Sequence, residues 1–383
     1  MMHTSQISSY MDLAHHLSNQ HKCVALVLSS FQKLLSSSVE SFDIDTARDF
    51  VTFFSQYACG FHDAFEEEFI YNHALQLKDV LDCVLVIKNE HTKLRNLCKE
   101  MEQALSGPLS SFKKIATQYF SCQLFHAYVE DTQLFPKLAI FIGEFELEQS
   151  HSDFESQVRD SVHLEDLGYS LIAKFLPDNV EHHFSWDAFT NSCTASFDPV
   201  FAHLKNDHQL ILNVISFFEK KFEADTCPES RKVHSAVFIS FLSRYFLDVH
   251  SKKESDVLFP IAKQLGFPSD FGPLPVLIGD LEYIRDLIAD CQDSDRLFDD
   301  GDDDFDCIFD LISDVRILLK SKSGVLYRLM NFHLAEHGFT DSQKVLAEFE
   351  LLEDNCRSLF DELDDVFVFS QDQSNLIKDE IVL

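Results

Sequence analysis

Glycine and proline are scarce, 10 and 9 in 383 residues. A chain this poor in the residues that make tight turns and interrupt helices does not read as a turn-rich β-sandwich or barrel; long uninterrupted helices are expected. Basic residues are few as well: 31 Lys and Arg stand against 64 Asp and Glu, a net charge of -33. Such a chain repels a phosphate backbone and an anionic membrane surface, so neither nucleic acid nor membrane is an expected partner, whereas metal cations and a basic protein surface are. The ten cysteines include no Cys-x-x-Cys pair, which argues against a zinc ribbon, a RING module or a thioredoxin-type site. Scattered singly along apolar segments, they read as reduced core thiols. No uncharged apolar run of membrane-spanning length occurs, and MMHTSQISSYMDLAHH has no basic stretch leading into an apolar one. The expectation is a soluble intracellular protein, cytoplasmic or also nuclear.

What is abundant is phenylalanine, with 38 residues, and apolar positions recurring every three to four residues. That periodicity predicts helices over 10–35, 46–75, 78–105 and 109–142, the third stopped by Ser106-Gly107-Pro108 and the fourth kinked or ended at Pro136. Four helices joined by short loops describe an up-down bundle, assigned to residues 1–145. Residues 146–196 read as an extra helix and a linker holding the only Trp. A second set, near 199–224, 229–265, 275–291, 308–337 and 342–367, makes a divergent second bundle within 197–383. The fold class is therefore all-α, two four-helix bundles in tandem. The acidic run 290–306 lacks the alternating ligands and closing Glu of an EF-hand and reads as a solvated loop.

The chemistry concentrates in His-x-x-x-Glu pairs, which put an imidazole and a carboxylate on one helix face. FHAYVEDTQLFPKL carries His126 and Glu130; VHSKKESDVLFPIAK carries His250 and Glu254, with Leu-Phe-Pro at the same offset. With 18 His and 64 acids, chance supplies some pairs of this kind, and repetition is what gives them weight. His21 precedes His62 by 41 residues, His208 precedes His250 by 42, and Glu66 and Glu254 follow one turn after the second His of each. His91 on the third helix completes a set in which every helix of the first bundle offers a ligand: His21, His62, Glu66, His91, His126 and Glu130. Four imidazoles and two carboxylates suit a pair of first-row metal ions, with carboxylates bridging and offsetting charge. Asp131 is an alternative to Glu130, His15 and His16 compete with His21, and Asp63 and Glu67 are spare ligands or solvated charges. The second set offers His208, His250, Glu254, His333 and His337, with no His on its third helix, where Glu282 is the nearest substitute. That pattern reads as a degenerate or differently loaded site.

These residues resemble the hemerythrin-like family, four-helix bundles with a di-iron centre, well over 10–145 and more weakly over 197–340. The resemblance implies two iron ions held by the six first-bundle residues, with dioxygen as a candidate ligand, and leaves metal in the second bundle open. FHDAFEEEFI is similar to the acidic second helix of the iron-sensing hemerythrin-like domain in an F-box ubiquitin-ligase subunit. The tandem arrangement is similar to that of plant hemerythrin-RING ligases, although no F-box, leucine-rich repeat or zinc module follows. Oxygen-carrying members place two His one turn apart on the third helix and an HxxxxD on the fourth, whereas Ile87 and Arg95 flank His91 here. The implied function is therefore a non-enzymatic di-iron protein that senses or buffers iron. Its alternatives are a di-iron oxidase or peroxide-consuming enzyme, and an interaction scaffold of a ubiquitin-ligase-type iron-regulatory assembly with a protein partner.

Overall fold

The computed structural model describes residues 10–75, 81–142, 151–176, 185–186, 198–224, 227–293, 306–354 and 359. Among these the chain is all-α, without a strand, and it divides into two compact units. The first comprises Met1–Cys193 with Pro268–Val276, the second Thr194–Phe267 with Leu277–Leu383. Most of the acidic run 290–306, the linker around Trp186 and the end of the C-terminal helix lie outside the described residues. No described helix is long and apolar enough to cross a membrane.

In the first unit the helices are α1 (Tyr10–Leu35), α2 (44–74), α3 (Leu81–Ala104), α4 (109–142) and α5 (His151–Phe175). Asp43 starts α2 by accepting from the amides of Asp45 and Thr46, which satisfies two of the donors a helix N-terminus leaves open. Helix α4 packs on α1 and α3, α2 on α3, and α5 lies against α1 and α2, where the Tyr57 hydroxyl donates to Glu165. The segment from 151, which periodicity assigns to an extra helix, is thus part of the first unit's packing. Its core is strongly aromatic: Phe31, Phe50, Phe54 and Phe112 pack ring on ring, and Tyr119 closes on Phe54 at 4.8 Å. Each fully buried ring contributes roughly 1.5–3 kcal/mol. A second apolar cluster around Leu17, Phe65, Ile70, Leu134 and Phe135 lies further along the same helices.

In the second unit α6 (Pro199–Ala224), α7 (228–264), α9 (306–336) and α10 (Ser342–Glu353) pack on one another, α6 touching the other three; α8 (Pro273–Asp293) belongs to this unit from Leu277 on.

Helices α2, α4, α7 and α9 do not keep α-geometry throughout. Wide π-helical turns run over Phe54–His62 and Glu67–Tyr71 in α2, Glu130–Leu134 in α4, Leu242–His250 and Lys253–Leu258 in α7, and Lys322–Leu326 in α9. Such turns re-aim side chains and recur at functional positions. They explain the duplicated Leu-Phe-Pro. In both copies the π turn ends at the Leu, and the Pro, which lacks an amide to donate to residue i−4, sits second in the α-helical segment that follows. Pro136 therefore neither ends α4 nor stands outside it. In α2 the wide turn needs Gly60, because a Cβ there would lie 2.9 Å from the Ser55 carbonyl oxygen.

Candidate metal centre

Within the first unit the wide turns and helix spacing aim a set of polar side chains inward from four helices: His21 from α1, His62, Asp63 and Glu66 from α2, His91 from α3, and His126 and Glu130 from α4. All seven are fully buried. Their donor atoms form two overlapping groups, His21–His62–Glu66–Glu130 and Asp63–Glu66–His91–His126, with atoms of each group within 4.8 Å of one another. Glu66 belongs to both. Its Oε1 lies 3.5 Å from His21 Nε2 and 3.3 Å from His62 Nε2, while its Oε2 lies 3.5 Å from His91 Nε2. Glu130 also spans the groups, with Oε2 at 3.2 Å from His21 Nε2 and 3.1 Å from His126 Nε2, and Oε1 at 3.7 Å from His91 Nε2.

The orientation of the imidazoles is uniform. In each, Nδ1 is held by an outer acceptor and Nε2 faces the cluster: Asp131 holds His21 at 2.8 Å, Gln20 holds His62 at 2.7 Å, Glu67 holds His91 at 3.0 Å and Glu90 holds His126 at 3.1 Å. Outer partners of this kind select the tautomer that leaves Nε2 as a lone-pair donor. They are themselves tied in. Asp131 accepts from Ser18 and from the indole of Trp186, each at 2.6 Å; Arg95 donates to Glu67 at 2.9 Å and the Gly272 amide to Glu90 at 3.2 Å. Phe135, from the Leu-Phe-Pro, stacks on the His21 ring. Tyr71 donates its hydroxyl to Glu130 Oε1.

Seven buried atoms inside the cluster have no hydrogen-bond partner: His21 Nε2, His62 Nε2, both oxygens of Asp63, both of Glu66 and Glu130 Oε2. Some lie within ion-pair distance of one another, but not in hydrogen-bond alignment. Unsatisfied buried polar atoms are costly, and this concentration of lone pairs is what a pair of cations would satisfy. The metal-free balance of charge points the same way. Burial opposes the imidazolium form, yet the surrounding carboxylates, Asp131 and Glu130 for His21 and Asp63 for His91, hold both imidazoles well above their ordinary range, with His126 raised to about 9. Burial lifts the Asp63 carboxyl. Beside the centre a cavity of about 500 Å³ has Cys59, Gly60, Glu67, Glu68 and Arg95 on its wall, with Glu67 linking it to His91.

The six residues of the first unit singled out by spacing thus share one cluster. Asp63 joins them as a seventh donor; its signal was available, since Glu66 lies four residues after His62 and three after Asp63, placing all three on one face. Asp131 serves as the outer partner of His21 rather than replacing Glu130. Glu67 likewise stands behind His91. His15 is exposed and His16 bonds Gln20 at 3.0 Å, its pKa lowered to about 4 by burial and by His62 and His15. Tyr71, Gln20, Glu90 and Trp186 were not legible as site residues.

In the second unit His208, His250 and Glu254 come together, with the two Nε2 atoms 3.0 Å apart. His333 and His337 do not join them. Their rings stack on each other at the end of α9, His333 Nε2 lies 3.2 Å from the Leu265 carbonyl, and Phe267 packs edge-on. Glu282 is exposed. A further group joins the buried Asp207 to the half-buried His203 and Glu353.

No family model matches the chain, and neither a curated protein nor a solved structure is similar enough to it to count as a match.

Proposed function

We propose that the first unit is a hemerythrin-like four-helix bundle built from α1 to α4, that two iron ions would be held in its centre by His21, His62, Asp63, Glu66, His91, His126 and Glu130, and that the protein senses or buffers iron without being an enzyme. The observation that carries this reading is a set of four imidazoles, each anchored at Nδ1 and turning Nε2 into the cluster, His21 and His62 with that atom unpartnered and His91 and His126 with theirs 2.9 Å apart, beside carboxylate oxygens of Asp63, Glu66 and Glu130 that have no hydrogen-bond partner. His21, His62, Glu66 and Glu130 would hold one ion, Asp63, His91 and His126 with Glu66 the other. When bound, iron would supply Fe(II)/Fe(III) chemistry and open positions for dioxygen. The chain's own part is to fix the donors, keep bulk water out and couple occupancy to folding. A cluster of lone pairs that strains the metal-free fold turns binding free energy into folding free energy. At a free ion concentration of 100 Kd that linkage adds about 2.7 kcal/mol per site.

Anaerobic Fe(II) titration of the full chain, with elemental analysis and optical spectra, should give two irons per chain and a Tm that falls on chelation. Full native helicity with no iron uptake would overturn the reading, and preferential uptake of Mn(II) would replace iron within it. The enzymatic alternative draws on Tyr71, whose hydroxyl reaches Glu130 inside the centre. Sustained dioxygen or peroxide consumption by the loaded protein, abolished in His62→Ala, would favour it.

A further inference from the structure

The second unit has the same kind of helical histidine and glutamate pair as the first, yet every carboxylate of its two acid-and-histidine groups is already answered by a buried cation from the chain. At His208–His250–Glu254, Lys322 from α9 is 1% exposed and its Nζ donates to Glu254 Oε2 at 2.5 Å. The other oxygen, Oε1, accepts from the Tyr327 hydroxyl at 2.6 Å, and the same hydroxyl lies 3.0 Å from His208 Nε2. Ser323 reaches His208 Nδ1, and Asp207 holds His250 Nδ1 at 3.2 Å. At His203–Asp207–Glu353 the arrangement repeats. Lys253, fully buried, donates to Asp207 at 2.7 Å and to Glu353, with His203 Nε2 at 3.1 Å. None of the orphaned buried atoms of the first centre has a counterpart among His208, His250, Glu254 or Asp207.

A lysine ammonium is a compact point charge that a flexible stem can deliver to the spot an ion would fill. It neutralises a buried carboxylate permanently and at every external metal concentration. We propose that the second unit takes no metal, because Lys322 and Lys253 supply its cations from within the chain, and that it is folded whatever the metal supply. With the first centre loaded as proposed above, the protein would join a metal-dependent half to a metal-independent one. The metal independence of the second unit stands on that unit's own geometry and does not require the first centre to hold iron.

The test uses the full chain, with Fe(II) under anaerobic conditions and Co(II) as probes. The His62→Ala/Glu66→Ala chain, emptied at the first centre, should bind neither ion. In the wild-type chain chelation should leave amide exchange in 199–224 and 228–264 unchanged. Lys322→Met should lower the Tm by about 10 °C, because it strands a buried carboxylate, and Lys322→Met/Glu254→Gln should recover most of that loss by removing both charges. Metal bound by the emptied chain and lost again on His250→Ala would overturn the proposal, as would chelator-induced exchange in α6 and α7. A double variant no more stable than Lys322→Met alone would also overturn it, and this comparison holds even where the single variant folds poorly. A wild-type chain that takes up no metal while its second unit behaves as described sinks the proposal for the first centre and leaves this one standing.

Discussion

The two units solve one electrostatic problem in opposite ways. Each buries a glutamate one turn after a histidine, Glu66 after His62 and Glu254 after His250, and each surrounds it with groups from neighbouring helices. In the first, Glu66 has no hydrogen-bond partner on either oxygen and its neighbours are imidazoles that point their Nε2 atoms at it. In the second, the equivalent carboxylate is saturated by a lysine and a tyrosine. The short motif is the same; the side chains that neighbouring helices bring against it decide what it does. A His-x-x-x-Glu pair is therefore a statement about one helix face, and whether it becomes a ligand pair depends on whether a partner helix brings a lone pair or an ammonium.

The sharpest way to break this comparison is to make one substitution in both places. Glu66→Gln should abolish metal uptake at both positions of the first centre, read by elemental analysis. Glu254→Gln should leave the metal count unchanged and destabilise by about 3–5 kcal/mol, read by denaturation, because it strands the Lys322 charge in the interior. Metal loss in the second variant would erase the distinction. Next in size are the outer partners of the first centre. Asp131→Asn should weaken metal binding about 10–100-fold, and Trp186→Phe, which removes the 2.6 Å indole hydrogen bond to Asp131 and keeps an aromatic ring beside Tyr128, should weaken it less. As Trp186 is the only tryptophan, its fluorescence reports the same titration directly.

Two glycines test the backbone side of the comparison. Gly60→Ala should destabilise by about 1–2 kcal/mol and loosen the wide turn that ends at His62, since its Cβ would press on the Ser55 carbonyl. Gly279→Ala, inside α8 with nothing within 4 Å, should instead stabilise by about 0.5–1 kcal/mol. The smallest expected effect is a control in the second unit. Arg316 grips Glu219 through both guanidinium nitrogens at 2.6 Å, and it holds that carboxyl below its ordinary range. The pair is half-buried at the surface and still screened by solvent, so Arg316→Met should cost about 0.5 kcal/mol. Because the folded-state pKa is lowered, this contribution is present above the ordinary carboxylate range and is lost as the pH falls below that range through the lowered folded-state value. Chemical denaturation at neutral pH and at a pH below the ordinary carboxylate range would read both.

The helical class and the positions of the long helices were legible because apolar periodicity is a local property, and few glycines or prolines interrupt it. His62 and Glu66, or His126 and Glu130, were legible as pairs for the same reason: residues one turn apart share a face in any helix. Asp63 carried the same signal through its three-residue spacing to Glu66. Other features were out of reach. That Asp131 stands behind His21 depends on contact across 110 residues of chain, and no spacing rule along one helix predicts it. That His333 and His337 turn toward each other and the Leu265 carbonyl, while Lys322, eleven residues earlier, fills the cluster, depends on where a wide turn re-aims α9.

By itself, then, the sequence determined the all-α class, the amphipathic faces and which imidazoles and carboxylates could share a face, because each follows from periodicity within a single helix. Tertiary packing alone decided which faces met. It left seven lone-pair atoms unanswered in one centre and set an ammonium against each acid in the other, since the charge state of a buried cluster is the sum over all the helices that line it.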